Sequence, residues 1–70
     1  MTSRDGSEVK ILGRRLLAYR LHEGLTQPEL GTRIGVSRFS ISRLENGIKL
    51  SVKNLYRIRI FLEAQRGSHE

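Results

Sequence analysis

Residues 25–47 of this 70-residue chain read LTQPELGTRIGVSRFSISRLENG, and this stretch decides the fold. Within it, Thr26-Gln27-Pro28-Glu29 has the pattern of a capping box, in which a Thr hydroxyl and a Glu carboxylate satisfy first-turn amides of a helix. Pro28 is compatible with that position because first-turn amides have no partner inside the helix. Gly35 then predicts a helix end, and Ser37 predicts the start of the next helix. The stretch therefore predicts two short helices joined by a tight turn.

Two short helices joined by a glycine-containing turn form the outline of a helix-turn-helix. Gly31 is predicted to lie where the two helices cross most closely, a place that needs a small residue even though glycine costs about 1 kcal/mol in a helix interior. Gly35 supplies the positive φ that the tight turn requires. Five apolar residues are expected to close the core between the two helices: Leu30, Ile34, Val36, Ile41 and Leu44.

Longer helices are predicted on either side of this pair. Apolar residues at helical spacing predict a first helix from about Glu8 to about Glu23, which Gly24 ends. Ser51 predicts the start of a fourth helix that ends near Gly67. No segment alternates convincingly with a period of two, so we expect an all-α fold without a sheet. The apolar residues that give this spacing are Val9, Leu12, Leu16, Leu17 and Leu21 in the first helix and Val52, Leu55, Ile58, Phe61 and Leu62 in the fourth.

Length and composition favour one small domain and exclude several classes of protein. The 70 residues predict a flexible tail over 1–7, a helical domain over 8–66 and a flexible tail over 67–70. The absence of Cys excludes disulfides and thiolate metal sites. No apolar run approaches the roughly 18 residues of a membrane span, and the first residues lack the apolar stretch of a secretory signal. We therefore expect a cytoplasmic protein.

The residues give little support to enzymatic chemistry. His22 and His69 have no second ligand at metal-binding spacing. The serines lie in predicted helix caps and on a predicted helix face, and no Gly-rich phosphate loop is present. We therefore expect no catalysis, no cofactor and no bound metal.

The positive charge is concentrated in one segment. Residues 33–59 hold seven basic residues and one acidic residue, Glu45, and so account for the whole formal net charge of +6. Ten of the thirteen cations in the chain are Arg, whose planar fork suits phosphates and the guanine edge. A solvated charged face is the alternative, but the concentration favours a polyanion as partner, with nucleic acid the leading candidate. The cations of this segment that we expect to contact phosphates are Arg33, Lys49 and Lys53.

Residues 25–47 resemble the DNA-binding domain of the phage repressor and Cro-like (XRE-type) helix-turn-helix family in the pieces LTQ, EL, IGVS and ISRLENG. The resemblance extends over residues 12–62 and implies a compact, lambda-repressor-like helical domain that binds double-stranded operator DNA as a homodimer. The helix of residues 37–46 is then expected to lie in the major groove. The resemblance also implies that the protein is a transcriptional repressor or autoregulator. Such a protein is cytoplasmic and is associated with the nucleoid when it is bound to DNA.

The same resemblance assigns roles to individual residues. Gln27 matches a position that grips a phosphate at the start of the second helix, and Asn46 matches a phosphate contact after the recognition helix. Arg20 and Glu45 match a buried ion pair between the first helix and the end of the recognition helix. The residues at base-reading or adjacent positions are Arg38, Phe39, Ser40 and Arg43.

Helix geometry gives an independent view of the same helix. At 100° per residue, Ile41 and Leu44 face the core, and Phe39 and Arg43 fall on the opposite face with Ser42 and Asn46. Thymine-methyl contact by Phe39 and guanine or phosphate contact by Arg43 are the functional interpretations, against a surface aromatic and a solvated arginine. For the serines, base contact and a merely exposed hydroxyl both stay open. The candidate base contacts are Arg38, Phe39, Ser40, Ser42 and Arg43.

The end of the chain departs from the family. The residues EAQRGSHE after Leu62 are too polar and too short for the family's usual fifth helix, so we expect one common dimer interface to be missing. Tyr56 and Ile60 form an i, i+4 pair on a second face of the fourth helix. With Ile48 and Leu50 they make a candidate self-association patch, the alternative being that they close the base of the core.

Three other kinds of partner fit the sequence less well than DNA. An anionic membrane is disfavoured because the cations of the fourth helix do not segregate to one face. RNA is disfavoured because the A-form major groove does not admit a helix and no aromatic stacking platform is evident. The main alternative is a protein-interaction module or antitoxin-like partner that keeps the fold without binding DNA. A flat salt dependence and no affinity for duplexes would identify it.

Overall fold

The computed structural model describes residues 6–67, with side chains from residue 8 to residue 65. This part of the chain forms four α-helices and no strand: α1 (Gly6–Glu23), α2 (Gln27–Ile34), α3 (Arg38–Glu45) and α4 (Val52–Gly67). The predicted all-α, four-helix class is confirmed. None of the helices in the described part of the chain is long and apolar enough to cross a bilayer.

The two long helices differ little from their predicted bounds. α1 begins at Gly6 rather than at Glu8, so the first predicted tail is shorter by two residues. α4 ends at Gly67, which is the last residue that the structure describes. The rest of the predicted tails, residues 1–5 and 68–70, lies outside the described part of the chain.

The start and end of α2 follow the predicted local chemistry. The Thr26 amide donates to the Glu29 carboxylate at 2.9 Å, and the Glu29 amide donates to the Thr26 hydroxyl at 3.2 Å, which confirms the capping box. Gly35 ends the helix with a φ of 95°, in the left-handed region that favours glycine. Its amide donates to the Gly31 carbonyl at 2.7 Å. α2 is therefore fixed at both ends, by the capping box at its start and by the backbone hydrogen bond of Gly35 where the tight turn begins.

Serine caps also begin the two helices that follow. The Ser40 amide donates to the Ser37 hydroxyl at 3.2 Å at the start of α3. The Asn54 amide donates to the Ser51 hydroxyl at 3.3 Å at the start of α4. Each cap satisfies a first-turn amide that has no partner within its own helix. These contacts fix where α3 begins, and so fix which of its side chains point outward.

All four helices contribute to one core. Its fully buried side chains are Leu16 of α1, Leu30 of α2, Ile41 and Leu44 of α3 and Ile58 of α4. The rings of Tyr19 and Phe61 meet edge to face with their centroids 5.3 Å apart, which joins α1 to α4 beside this core. α3 is therefore held by its inner face while its outer face stays free of the core.

Two glycines allow the helices to approach closely. A Cβ atom at Gly31 would lie 2.6 Å from the Val36 carbonyl oxygen, so the predicted need for a small residue there is confirmed. A Cβ at Gly13 of α1 would overlap the Leu44 carbonyl oxygen of α3. No local feature of the sequence predicts this close approach at Gly13. Both contacts are with backbone, which cannot move aside as a flexible side chain does.

The burial of several apolar residues differs from the prediction. Leu50 is a candidate for the self-association patch in the sequence, but it is buried in the core cluster, in agreement with the alternative that it closes the base of the core. Its position in the loop between α3 and α4 has no helical period to predict its direction. Val52 is 81 % exposed and Leu21 is 64 % exposed, although both fit the helical spacing of a core stripe. Each lies near a helix end, where the neighbouring helices no longer cover the stripe.

Candidate nucleic-acid interface

The outer face of α3 presents a row of side chains that the core does not use. Ile41 and Leu44 are fully buried on the inner face, whereas Arg38, Phe39 and Arg43 are exposed. Phe39 is 64 % exposed, although Phe is among the residue types that are most often fully buried. The two faces are opposite because α3 has 3.6 residues per turn. The structure therefore brings three of the five candidate base contacts together on one accessible surface.

Arg38 and Phe39 contact each other in the first turn of α3. The guanidinium carbon of Arg38 lies 5.2 Å from the centre of the Phe39 ring, the geometry of a cation–π interaction. Among the described residues, the Arg38 side chain has no hydrogen-bond or ion-pair partner. Its N–H donors are therefore available to an acceptor outside the domain.

The structure places Ser40 and Ser42 away from the outermost part of this surface. Ser40 is only 9 % exposed, so the expectation of a base contact by this residue is corrected. Its hydroxyl lies 3.3 Å from the Ser37 hydroxyl and accepts a hydrogen bond from the side-chain amide of Asn54 in α4 at 3.3 Å. Ser40 precedes Ile41 by one helical step, which turns it toward α4 rather than toward solvent. Ser42 is half-buried and lies beside the exposed row.

A hydrogen-bonded network anchors the end of α3. Arg20 donates through Nε to Glu45 Oε2 at 2.6 Å and through Nη2 to Glu45 Oε1 at 3.0 Å. Its Nη1 donates to the Leu25 carbonyl at 3.0 Å. Glu45 and Arg20 side chains are only 6 % and 16 % exposed. The hydrogen bond that Arg20 donates to Glu45 is the main cause that raises the pKa of Arg20, so the guanidinium stays charged.

Gln27 is part of this network rather than an isolated surface residue. Its side-chain amide donates to Glu45 Oε1 at 3.0 Å, and the residue is half-buried at the start of α2. The family resemblance predicts a phosphate contact for Gln27 but does not predict this bond. An amide carries two N–H donors, so one of them remains for a second acceptor. Glu45 therefore orients Gln27 as well as Arg20.

The C-terminal end of α3 lies beside cations that sequence reasoning missed. A shallow cleft there is lined by Lys10 and Arg14 of α1 together with Glu45, Asn46 and Gly47. The Asn46 side-chain amide donates to the Ser42 carbonyl at 2.8 Å and so partly caps the helix. Lys10 and Arg14 precede the charged segment by some twenty residues or more, and only the packing of α1 on α3 brings them to this end. No feature of the local sequence signals this juxtaposition.

The remaining candidate phosphate contacts are surface cations. Arg33, Lys49 and Lys53 are exposed, at the end of α2, before α4 and in the first turn of α4. Arg57 of α4 lies over the turn between α2 and α3, since its Nη1 atom is 3.4 Å from where a Cβ of Gly35 would be. Among the described Lys and Arg side chains, Arg20 is the one that pairs with a carboxylate, that of Glu45, so acidic groups neutralise little of this surface.

An exposed apolar stripe runs along α4. Val52, Tyr56 and Ile60 follow each other at intervals of four residues and are all exposed, and Ile48 in the preceding loop is exposed as well. Three of these residues belong to the predicted self-association patch, Val52 joins them, and Leu50 leaves them for the core. We call Ile48, Val52, Tyr56 and Ile60 the α4 stripe. It contains large apolar side chains in a region otherwise rich in Lys and Arg.

Comparison with known proteins gives one match. A family model described as helix-turn-helix domain matches residues 11–55, which is more than half of the chain. The matched range contains α2, α3 and the turn between them, together with most of α1 and the start of α4. No similarity to a curated protein or to a solved structure reaches significance.

Proposed function

The chain belongs to the helix-turn-helix domain family, and on this premise we propose that it is a sequence-specific, double-stranded-DNA-binding transcriptional regulator of the phage repressor and Cro-like kind. We assign it the role of a repressor or autoregulator that acts in the cytoplasm, on the nucleoid. The observation that carries the proposal is the outer face of α3, where Phe39 and Arg43 are exposed opposite a fully buried Ile41 and Leu44 and Arg38 is exposed in the first turn.

In this proposal α3 enters the major groove. An α-helix fits there, and the first turn of a recognition helix contacts base edges. Arg38 and Arg43 supply the planar donor forks that recognise guanine, and Phe39 supplies an apolar surface for a thymine methyl group. Ser42 lies beside this row as a secondary contact. Ser40 acts inside the domain, because its hydroxyl is bonded to neighbours in α3 and α4.

Phosphate contacts on either side of α3 position it in the groove. Gln27 lies at the start of α2, and its free amide N–H is aimed by the bond that it makes to Glu45. Helix N-termini and basic side chains are the usual partners of the DNA backbone. The cations and amide that we assign to phosphates are Arg33, Asn46, Lys49 and Lys53, and we add Lys10 and Arg14 because they line the cleft at the end of α3.

The bound form is a homodimer. α3 has eight residues, and a single recognition helix of this length reads too few base pairs to select one site. Two copies related by a two-fold axis read two half-sites. The α4 stripe is the surface that we assign to this contact, because it is the exposed apolar surface nearest in sequence to α3. The neighbouring Lys49 and Lys53 oppose association in free solution, so DNA phosphates strengthen the dimer.

A binding selection on randomised duplexes tests the proposal. The purified chain is used to enrich duplexes over several rounds, and the enriched pool is sequenced. We expect inverted half-sites with centres about one helical turn apart, roughly 10 base pairs. We expect the enriched duplex to bind at least about 1,000-fold more tightly than a shuffled duplex, with affinity falling steeply as salt rises.

Two results would contradict the proposal. A pool without enrichment means that the chain does not read sequence. Binding that is weak, and that hardly changes with salt, means that the basic surface is not used for DNA. Either result would favour a protein partner for the same fold.

A further inference from the structure

The contact between Arg38 and Phe39 joins two different recognition groups into one unit. The guanidinium carbon lies 5.2 Å from the ring centre, and both side chains are exposed in the first turn of α3. A cation over an aromatic face loses part of its freedom before any ligand binds. The pair therefore presents a planar donor fork and an apolar ring at a fixed, short separation.

The separation of the two groups matches neighbouring base pairs. Base pairs along one DNA strand follow each other at about 3.4 Å, so groups about 5 Å apart reach adjacent pairs rather than distant ones. The donor fork fits the N7 and O6 acceptors that guanine presents in the major groove. The ring has no hydrogen-bonding atom and fits the one apolar group on a base edge there, the C5 methyl of thymine.

Resting on the proposed DNA-binding function, we propose that Arg38 and Phe39 read a guanine next to a base that carries a C5 methyl group. Thymine is the ordinary base of this kind. A 5-methylcytosine presents the same methyl group at the same ring position, although it pairs with guanine instead of adenine. The pair therefore accepts thymine or 5-methylcytosine and discriminates against unmethylated cytosine, which makes binding at this step sensitive to cytosine methylation.

The experiment changes the DNA and leaves the protein unmodified, because it removes single thymine methyl groups. In the duplex enriched by selection, each thymine in turn is replaced by deoxyuridine, which pairs identically but lacks the methyl. At one position we expect the affinity of the unmodified protein to fall about fourfold. This change corresponds to the free energy of burying one methyl-sized group. At that position, 5-methylcytosine paired with guanine should bind about fourfold more tightly than cytosine paired with guanine.

Two variants assign these effects to the proposed pair. In Phe39→Ala the affinity should no longer depend on the methyl at that position. Arg38→Ala should lose the preference for guanine over other bases at the neighbouring position. In the unmodified protein this preference is expected to be about 5- to 150-fold. Leu21→Ala is the matched control, because Leu21 is also 64 % exposed but lies on α1, and it should keep both dependences.

The outcomes separate this inference from the function on which it rests. A selection that enriches no duplex overturns both. An enriched duplex on which no deoxyuridine replacement weakens binding overturns the inference alone, and this arm needs only the unmodified protein. A methyl effect that is the same in Phe39→Ala and in the unmodified protein also overturns it, since another residue then contacts the methyl. A methyl effect that Phe39→Ala removes and Leu21→Ala keeps supports it.

Discussion

Arg20 of α1 and Glu45, the last residue of α3, form a bidentate ion pair, with Nε 2.6 Å from Oε2 and Nη2 3.0 Å from Oε1. The same carboxylate accepts a hydrogen bond from Gln27 of α2 at 3.0 Å. One acidic side chain therefore ties together the ends of three helices. It fixes how α3 projects from the domain, and with it the surface that we assign to DNA.

Replacing Glu45 by Ala should destabilise the domain strongly. The change leaves the Arg20 charge without its partner at a site that is 16 % exposed, which costs about 3 to 5 kcal/mol when a buried pair is broken. For a domain of this size, that loss lowers the melting temperature by at least about 12 °C. Thermal unfolding followed by circular dichroism measures it. Glu63→Ala, at an exposed glutamate of α4, is the control and should melt near the unmodified protein.

A melting temperature of Glu45→Ala within one or two degrees of the unmodified protein would contradict this interpretation. It would mean that water replaces Glu45 at Arg20 without cost, and that the ion pair does not fix α3.

Replacing Gly31 by Ala should destabilise the domain, although Ala is the better helix former by about 1 kcal/mol. The new Cβ would lie 2.6 Å from the Val36 carbonyl oxygen, and overpacking of this kind costs about 1 to 3 kcal/mol. Val36 cannot shift freely, because its amide donates to the Gly31 carbonyl at 2.9 Å. Denaturant unfolding gives the change in free energy. Thr32→Ala, at the exposed neighbouring position, is the control; equal stability of the two variants would refute the close approach.

Stability should fall in acid partly through Glu29. The hydrogen bond from the Thr26 amide, followed by that from the Thr26 hydroxyl, lowers the pKa of this carboxyl below its ordinary value. Its stabilising contribution is therefore complete above the ordinary pKa of about 4.3 and is lost as the pH falls through the lower pKa of the folded state. The free energy of unfolding should therefore fall less between pH 7 and pH 3 in Glu29→Gln than in Glu63→Gln. Equal differences would show that the capping box does not contribute to acid sensitivity.

Replacing Tyr56 and Ile60 together by Asp should abolish dimer formation on DNA while leaving the monomer folded. Both side chains are exposed on the α4 stripe, so the charges would face the partner copy and not the core. Gel-shift assays with one and two half-sites, together with sedimentation, measure cooperative occupation. The double change Ile11→Asp and Leu21→Asp is the charge-matched control, since both residues are exposed on α1.

Intact cooperativity in the Tyr56 and Ile60 variant would place the dimer interface elsewhere. An unfolded variant would assign both residues to the core and would equally reject the α4 stripe.

The helix boundaries of this chain were predictable because each depends on a few adjacent residues. Thr26 and Glu29 form their capping box within four residues, and the left-handed φ at Gly35 needs no distant partner. The burial of Ile41 and Leu44 was predictable for a similar reason, since a helix period determines which residues share a face. Local chemistry and periodicity were sufficient for the fold.

What the sequence did not reveal depends on packing between elements. Ser40 is buried because Asn54, in another helix, donates to its hydroxyl. Leu50 lies in a loop, where no period predicts direction, and it is part of the core. Lys10 reaches the end of α3 only because Gly13 lets α1 approach the Leu44 carbonyl. The candidate site was therefore predicted best on the outer face of α3 and least well where other helices contribute to it.

The central claim is that the outer face of α3 reads the sequence of duplex DNA. The most direct test compares Arg43→Ala with the unmodified protein on the enriched duplex and on a shuffled duplex, by fluorescence anisotropy at one fixed salt concentration. We predict a loss of about 1 to 3 kcal/mol on the enriched duplex, little loss on the shuffled one, and relaxed preference at one base pair. Arg33→Ala, a phosphate candidate, should weaken both duplexes alike. Equal weakening of both duplexes by Arg43→Ala would contradict the claim.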